Sequence, residues 1–119
     1  MTMIRAIRMT PGRPPMLTEI GSDLRSLQHE VSGGIELVSL DSKTDAYVND
    51  EGLLRQLEFN CMLPTDHYGE VPVVGTVIVV SHDGEGDTVG LSDEQISKWL
   101  VRLANAPRDL SALAAAMWG

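Results

Sequence analysis

The stretch Val71-Pro72-Val73-Val74-Gly75-Thr76-Val77-Ile78-Val79-Val80-Ser81 constrains the fold of this chain more than any other part of it. Its β-branched side chains favour extended backbone, and an apolar run without alternation requires cover on both faces. The segment therefore reads as one strand, Val71 to Ser81, at the centre of a sheet. The apolar part is broken by Pro72, Gly75 and Thr76 and falls far short of the roughly 20 residues of a spanning helix, so no membrane span is expected. Met1 to Arg8 mixes basic and apolar residues instead of forming the apolar stretch of a signal peptide, and a cytoplasmic location is expected.

The elements that cover such a strand are legible on either side of it. Ser92 and Gln95 make an S-x-x-Q capping box, with Leu91 and Ile96 as a hydrophobic staple across it. Ile96, Trp99, Leu100 and Leu103 then recur at helical spacing, and the helix ends near Asn105-Ala106-Pro107. A shorter helix is expected from Ser22, its cap, to Val31, with Leu24, Leu27 and Val31 on one face and Gly33-Gly34 as the stop. Asp109 can cap a last helix from Leu110 to about Trp118, too short to persist alone in water. Met3 to Met9 and Met16 to Ile20 read as a hairpin about Thr10-Pro11-Gly12-Arg13-Pro14, and Ile35 to Leu40 and Ala46 to Val48 as further strands. Leu53 to Leu63 fits either a helix or an irregular loop. The fold class is α+β: a small, mostly antiparallel or mixed sheet of about four to five strands packed against about two to three helices. Residues 1–106 are expected to form one domain, and 107–119 a helical extension docked on it or on a second subunit.

Composition narrows the partners. The 119 residues carry 9 Lys+Arg against 17 Asp+Glu, a formal charge of −8. Nucleic acid and anionic membranes, which need clustered cations, are not expected to bind directly. The lone Cys61 allows no internal disulfide and suits a reducing compartment.

Asp83, Glu85, Asp87 and Glu94 occupy positions 1, 3, 5 and 12 of a calcium loop, but Thr88 stands where the sharp turn needs glycine, and a strand precedes it. A solvated acidic turn is expected. Cys61, His67, His82 and His29 lack the short paired spacing of a zinc site. Ser81-His82-Asp83 has the residue types of a triad, yet neighbours on a strand point to opposite faces. Cys61 has no nearby cation in sequence to stabilise a thiolate. Asp66-His67-Tyr68 reads as a polar loop, and Gly84 and Gly86 sit among carboxylates that repel phosphate. No catalytic residue, metal site or cofactor is expected, and hence no enzyme.

A combination of motifs resembles a known small-domain family. These are Met3-Ile4-Arg5-Ala6-Ile7 with its Pro-Gly turn, Ile35-Glu36-Leu37-Val38, and Tyr47-Val48-Asn49-Asp50-Glu51-Gly52. Asn60, Tyr68-Gly69 and Val74-Gly75-Thr76-Val77-Ile78-Val79-Val80 complete the set. The family is domain of unknown function 3846, and the resemblance runs from about Met3 to Leu103. It implies a small accessory protein of phages, plasmids or their hosts, without established catalytic residues. Asn49, Glu51, Gly52 and Asn60 are the polar and glycine positions that match.

Two functions follow as expectations, with an unrecognised enzyme as a third and last alternative. The first is a non-catalytic protein that binds and modulates a host protein, including one of host defence, where an acidic surface would occupy a basic groove as a mimic of nucleic acid. The alternative is a binder of a small anionic or nucleotide-like ligand. There Asn49, Glu51 and Asn60 would supply hydrogen bonds and Arg5 or Arg8 would pair with the anion. A homodimer is also expected, with Leu110, Leu113, Met117 and Trp118 at its interface.

Overall fold

The computed structural model describes residues 2–109, 111, 114 and 115. Its elements in chain order are β1 (Met3–Met9), β2 (Met16–Gly21), α1 (Leu24–Val31), β3 (Ile35–Ser39), β4 (Thr44–Asn49), β5 (Phe59–Thr65), β6 (Gly69–Val74), β7 (Val77–His82), β8 (Thr88–Val89) and α2 (Asp93–Ala104). Six strands form one sheet in the order β2-β1-β7-β4-β3, with β8 also beside β7, and β5 and β6 form a second sheet of two strands. Every pairing is antiparallel. The class is α+β, with eight strands in two sheets among the described residues, more than expected. No helix among them is long and apolar enough to cross a membrane.

The period of two along β1 and β7 separates the core into two layers. Ile4, Ala6, Ile78 and Val80 meet Leu27 and Val31 of α1 on one face of the large sheet. Ile7, Met9, Val77 and Val79 meet the β5–β6 hairpin and Trp99 and Leu103 of α2 on the other. The large sheet is thus covered on both sides, as the run through Val80 requires.

That run is not one strand. It divides at Gly75 into β6 and β7, and the two belong to different sheets. Gly75 has φ +73° and a Cβ there would lie 2.9 Å from Cδ1 of Leu57, so glycine fits the bend and the packing beneath it. Only Val77–Ser81 is the central, doubly buried strand. Within Leu53–Leu63, the part from Phe59 onward is β5, whose buried Asn60-Cys61-Met62-Leu63 shows no alternation because both of its faces are covered.

Helix ends follow local hydrogen bonding. The N-cap of α1 is Asp23 rather than Ser22, its carboxylate accepting the Ser26 N–H at 2.9 Å. The helix stops at Ser32, which takes the left-handed φ of 62° one residue before the glycines. The capping box of α2 forms as read: Ser92 Oγ accepts the Gln95 N–H at 3.1 Å and Gln95 Oε1 accepts the Ser92 N–H at 2.9 Å. Gln95 Nε2 also donates to Thr44 Oγ1 and Ser81 Oγ, fastening the helix start to β4 and β7.

Candidate functional site

β3 is the last strand of the large sheet, and its register to β4 pairs Glu36 with Val48 and Val38 with Ala46. Val38, Val48 and Ala46 belong to the layer shared with the hairpin, so Glu36, two residues before Val38, projects on that same side. Between this margin of the sheet and Val71–Val74 of β6 lies a groove of about 450 Å³, lined also by the turn Asn49–Leu54.

The turn is held rigidly. Asn49 Oδ1 accepts the Glu51 N–H at 2.8 Å, and its Nδ2 donates to the Val31 carbonyl at 3.0 Å. The Arg55 and Leu57 amides donate to the carbonyls of Glu51 and Gly52, each at 2.9 Å. A Cβ on Gly52 would lie 2.5 Å from Cγ2 of Val74, so the turn reaches β6 only because this residue has no side chain. Leu53 and Leu54 then project into solvent, 83% and 86% exposed, at the mouth of the groove. One exposed leucine is ordinary, but a pair beside an apolar groove makes a patch suited to a partner.

The electrostatics have one sign. Glu36, Asp50 and Glu51 line the groove together with no Lys, Arg or His. None of the three takes part in the ion pairs found among the described residues.

The five residues read as a ligand site do not come together. Asn49 and Glu51 lie on the groove, whereas Asn60, Arg5 and Arg8 do not line it. Arg5 and Arg8, three apart on β1, point to opposite faces of the sheet. Arg5 donates to Asp93 and to the Leu91 carbonyl, both at 2.7 Å, on the α2 side. Arg8 holds Glu30 of α1 through Nε and Nη2 at 2.6–3.0 Å. Asn60 is buried, its Nδ2 donating to the carbonyls of Met9 and Gly75, both at 2.8 Å. Arg108 packs over it, donating to Asn60 Oδ1 and to the carbonyls of Asn60, Thr10 and Arg13. Leu110, Leu113, Met117 and Trp118 lie outside the described residues.

The remaining candidates have structural partners. Ser81 Oγ donates to the Lys43 carbonyl at 3.0 Å, while His82 Nδ1 bonds Asp45 Oδ2 at 2.7 Å, so the neighbours face apart. Cys61 is buried, and burial pushes its thiol up to about 11 against the opposing pull of Arg108. Asp83, Glu85 and Asp87 bring carboxylate oxygens within 4.8 Å of one another on an exposed loop. Asp83 Oδ1 accepts the amides of Glu85 and Asp87 and so closes its own turn. Glu36, Leu53 and Leu54 join the site only through the structure. The available signal was the apolar pair Leu53-Leu54 directly after a turn-forming Asn49-Asp50-Glu51-Gly52.

The sequence matches the family described as Domain of unknown function (DUF3846) over residues 4–104. The chain belongs to this family. Neither a curated protein nor a solved structure matches it. The DUF3846 match ends at the last residue of α2, so it contains the groove and both core layers except Ala106, while Arg108 follows it.

Proposed function

We propose that this DUF3846 protein is a non-catalytic binding module that docks on another protein in the cytoplasm, a host protein in the setting of a phage or mobile element. The acid-lined groove beside Leu53 and Leu54 carries the reading. The exposed leucine pair offers apolar area for a partner to bury, and the acidic lining beside it selects that partner by charge. The small-ligand alternative has less support, because the two arginines that would hold an anion are engaged with Asp93 and Glu30 on opposite faces of β1. An enzymatic role has least, since the nucleophiles Ser81 and Cys61 are respectively bonded within the fold and held as a buried thiol. The homodimer reading, through Leu110, Leu113, Met117 and Trp118, stands beside the binding role as a separate proposal.

Native mass spectrometry of the protein purified gently from its host tests this reading. A stoichiometric host polypeptide is expected on the wild type and is lost from the double variant Leu53→Ser, Leu54→Ser. A small co-purifying mass that disappears in Asn49→Ala would overturn the reading in favour of a ligand binder.

A further inference from the structure

The main-chain geometry of β3 says more about the partner. The Asp50 amide donates to the Gly34 carbonyl at 3.0 Å, and the Leu40 amide donates to the Thr44 carbonyl at 2.9 Å. Both bonds continue the β3–β4 register, in which paired residue numbers differ by an even step from 34 and 40 at the hydrogen-bonded positions. In an antiparallel ladder these positions alternate, so Glu36 and Val38 turn their N–H and C=O groups toward β4. Ile35, Leu37 and Ser39 turn theirs outward. β3 ends the sheet, and no other main-chain bond among the described residues engages these three.

Exposed edges are normally blunted by proline, lysine or a bulge. β3 has neither residue, and its register is unbroken. β6, across the groove, carries Pro72 and is protected. The one charge on β3 is Glu36, on the side facing the groove.

Resting on the proposed protein-binding role, we infer that the partner binds by adding an extended, cationic segment as a further strand on β3. Its main chain exchanges hydrogen bonds with Ile35, Leu37 and Ser39. Its alternate side chains fall on the groove side, where a Lys or Arg meets Glu36 and Asp50 and an aliphatic residue two positions away covers Val38 and Val73. Backbone pairing supplies affinity and the groove supplies the choice of side chains. Acidic or neutral segments gain the pairing without the charge match.

The test uses the full chain and a bead-displayed heptapeptide library with threonine at alternate positions and basic, acidic and aliphatic residues varied between them. Enrichment of Lys or Arg with an aliphatic residue two positions away is expected, before it in the peptide if the added strand is antiparallel to β3 and after it if parallel. Selected peptides should bind at least tenfold more weakly to Leu37→Pro, which deletes an outward amide and blocks the edge, and at least fivefold more weakly to Glu36→Lys. Slow amide exchange at Glu36 and Val38 checks that β3 still pairs with β4 in these variants. Methylating alternate backbone nitrogens of the peptide makes the same test without altering the protein. Enrichment of acidic peptides, or equal binding by Leu37→Pro and by the methylated peptide, would overturn the added-strand inference. The proposed function would survive that result if the double leucine variant still loses the host polypeptide, and would fail with it if that variant keeps it.

Discussion

Replacing Asn60 by aspartate keeps the shape of the side chain and its acceptor for Arg108 but removes both donated hydrogen bonds. Those bonds reach the carbonyls of Met9 and Gly75, and the residue is 1% exposed. They tie β5 to the end of β1 and to the bend between β6 and β7, so this one amide connects the two sheets. A buried acceptor left without its donor costs about 1–3 kcal/mol. Two such losses at one atom, which are less than additive, come to about 3 kcal/mol. The Arg108 guanidinium, 3.1 Å from Oδ1, gains a charged partner and returns about 1 kcal/mol. Asn60→Asp, whose second oxygen also faces those two carbonyls, is therefore expected to lose at least about 2 kcal/mol, and Asn60→Ala, which drops the Arg108 contact too, about 3 kcal/mol. Urea unfolding followed by circular dichroism, extrapolated linearly to water, measures both. If each variant stays within about 0.5 kcal/mol of the wild type, the clasp is not holding the sheets together.

Other outcomes follow from the same geometry. Asp41 is held below the ordinary carboxylate range, at about 2: its burial raises the value, but hydrogen bonds from the Lys43 amide and from the Lys98 and Thr44 side chains outweigh it. The lowered value means that Asp41 contributes stability above about pH 4, lost as pH falls from there toward 2, on the order of 1–2 kcal/mol after allowing for screening. Acid unfolding of Asp41→Asn should lack that component, and a slope identical to the wild type would contradict it. Cys61 should resist Ellman's reagent at pH 8 and react only on unfolding, and rapid labelling of the folded protein would show that the thiol is accessible. Truncation after Asp109, which retains the Arg108 contacts, should give a monomer by light scattering, and an unchanged dimer would place the interface elsewhere.

Much of the fold was legible where local physics and tertiary structure agree. The capping box at Ser92, the hairpin at Gly12 and the buried run through Val80 each combine a local rule with the face it buries. The two departures share a cause. Whether Val71–Ser81 bends at Gly75, and whether Asn60–Leu63 is a strand, depends on a second sheet whose pairing is long-range and leaves no periodic mark on either segment. Asn60 illustrates the limit for sites: a polar residue among apolar ones reads equally as a ligand donor or as a buried clasp, and only its partners at Met9 and Gly75 distinguish the two. Arg5 and Arg8 were separable in advance, because a spacing of three on a strand divides them between faces. Glu36 acquires its place from β3 being an edge, which follows from strand order and not from its neighbours in sequence.

The protein-binding account is tested most directly by hydrogen–deuterium exchange on the complex recovered from the host, compared with the free chain. The account predicts new protection at Ile35, Leu37 and Ser39, across Asn49–Leu54 and at Val71–Val74, with the acidic loop Asp83–Asp87 unchanged. Protection confined to that loop or to the β1–β2 hairpin, with the groove exchanging as in the free protein, would contradict it.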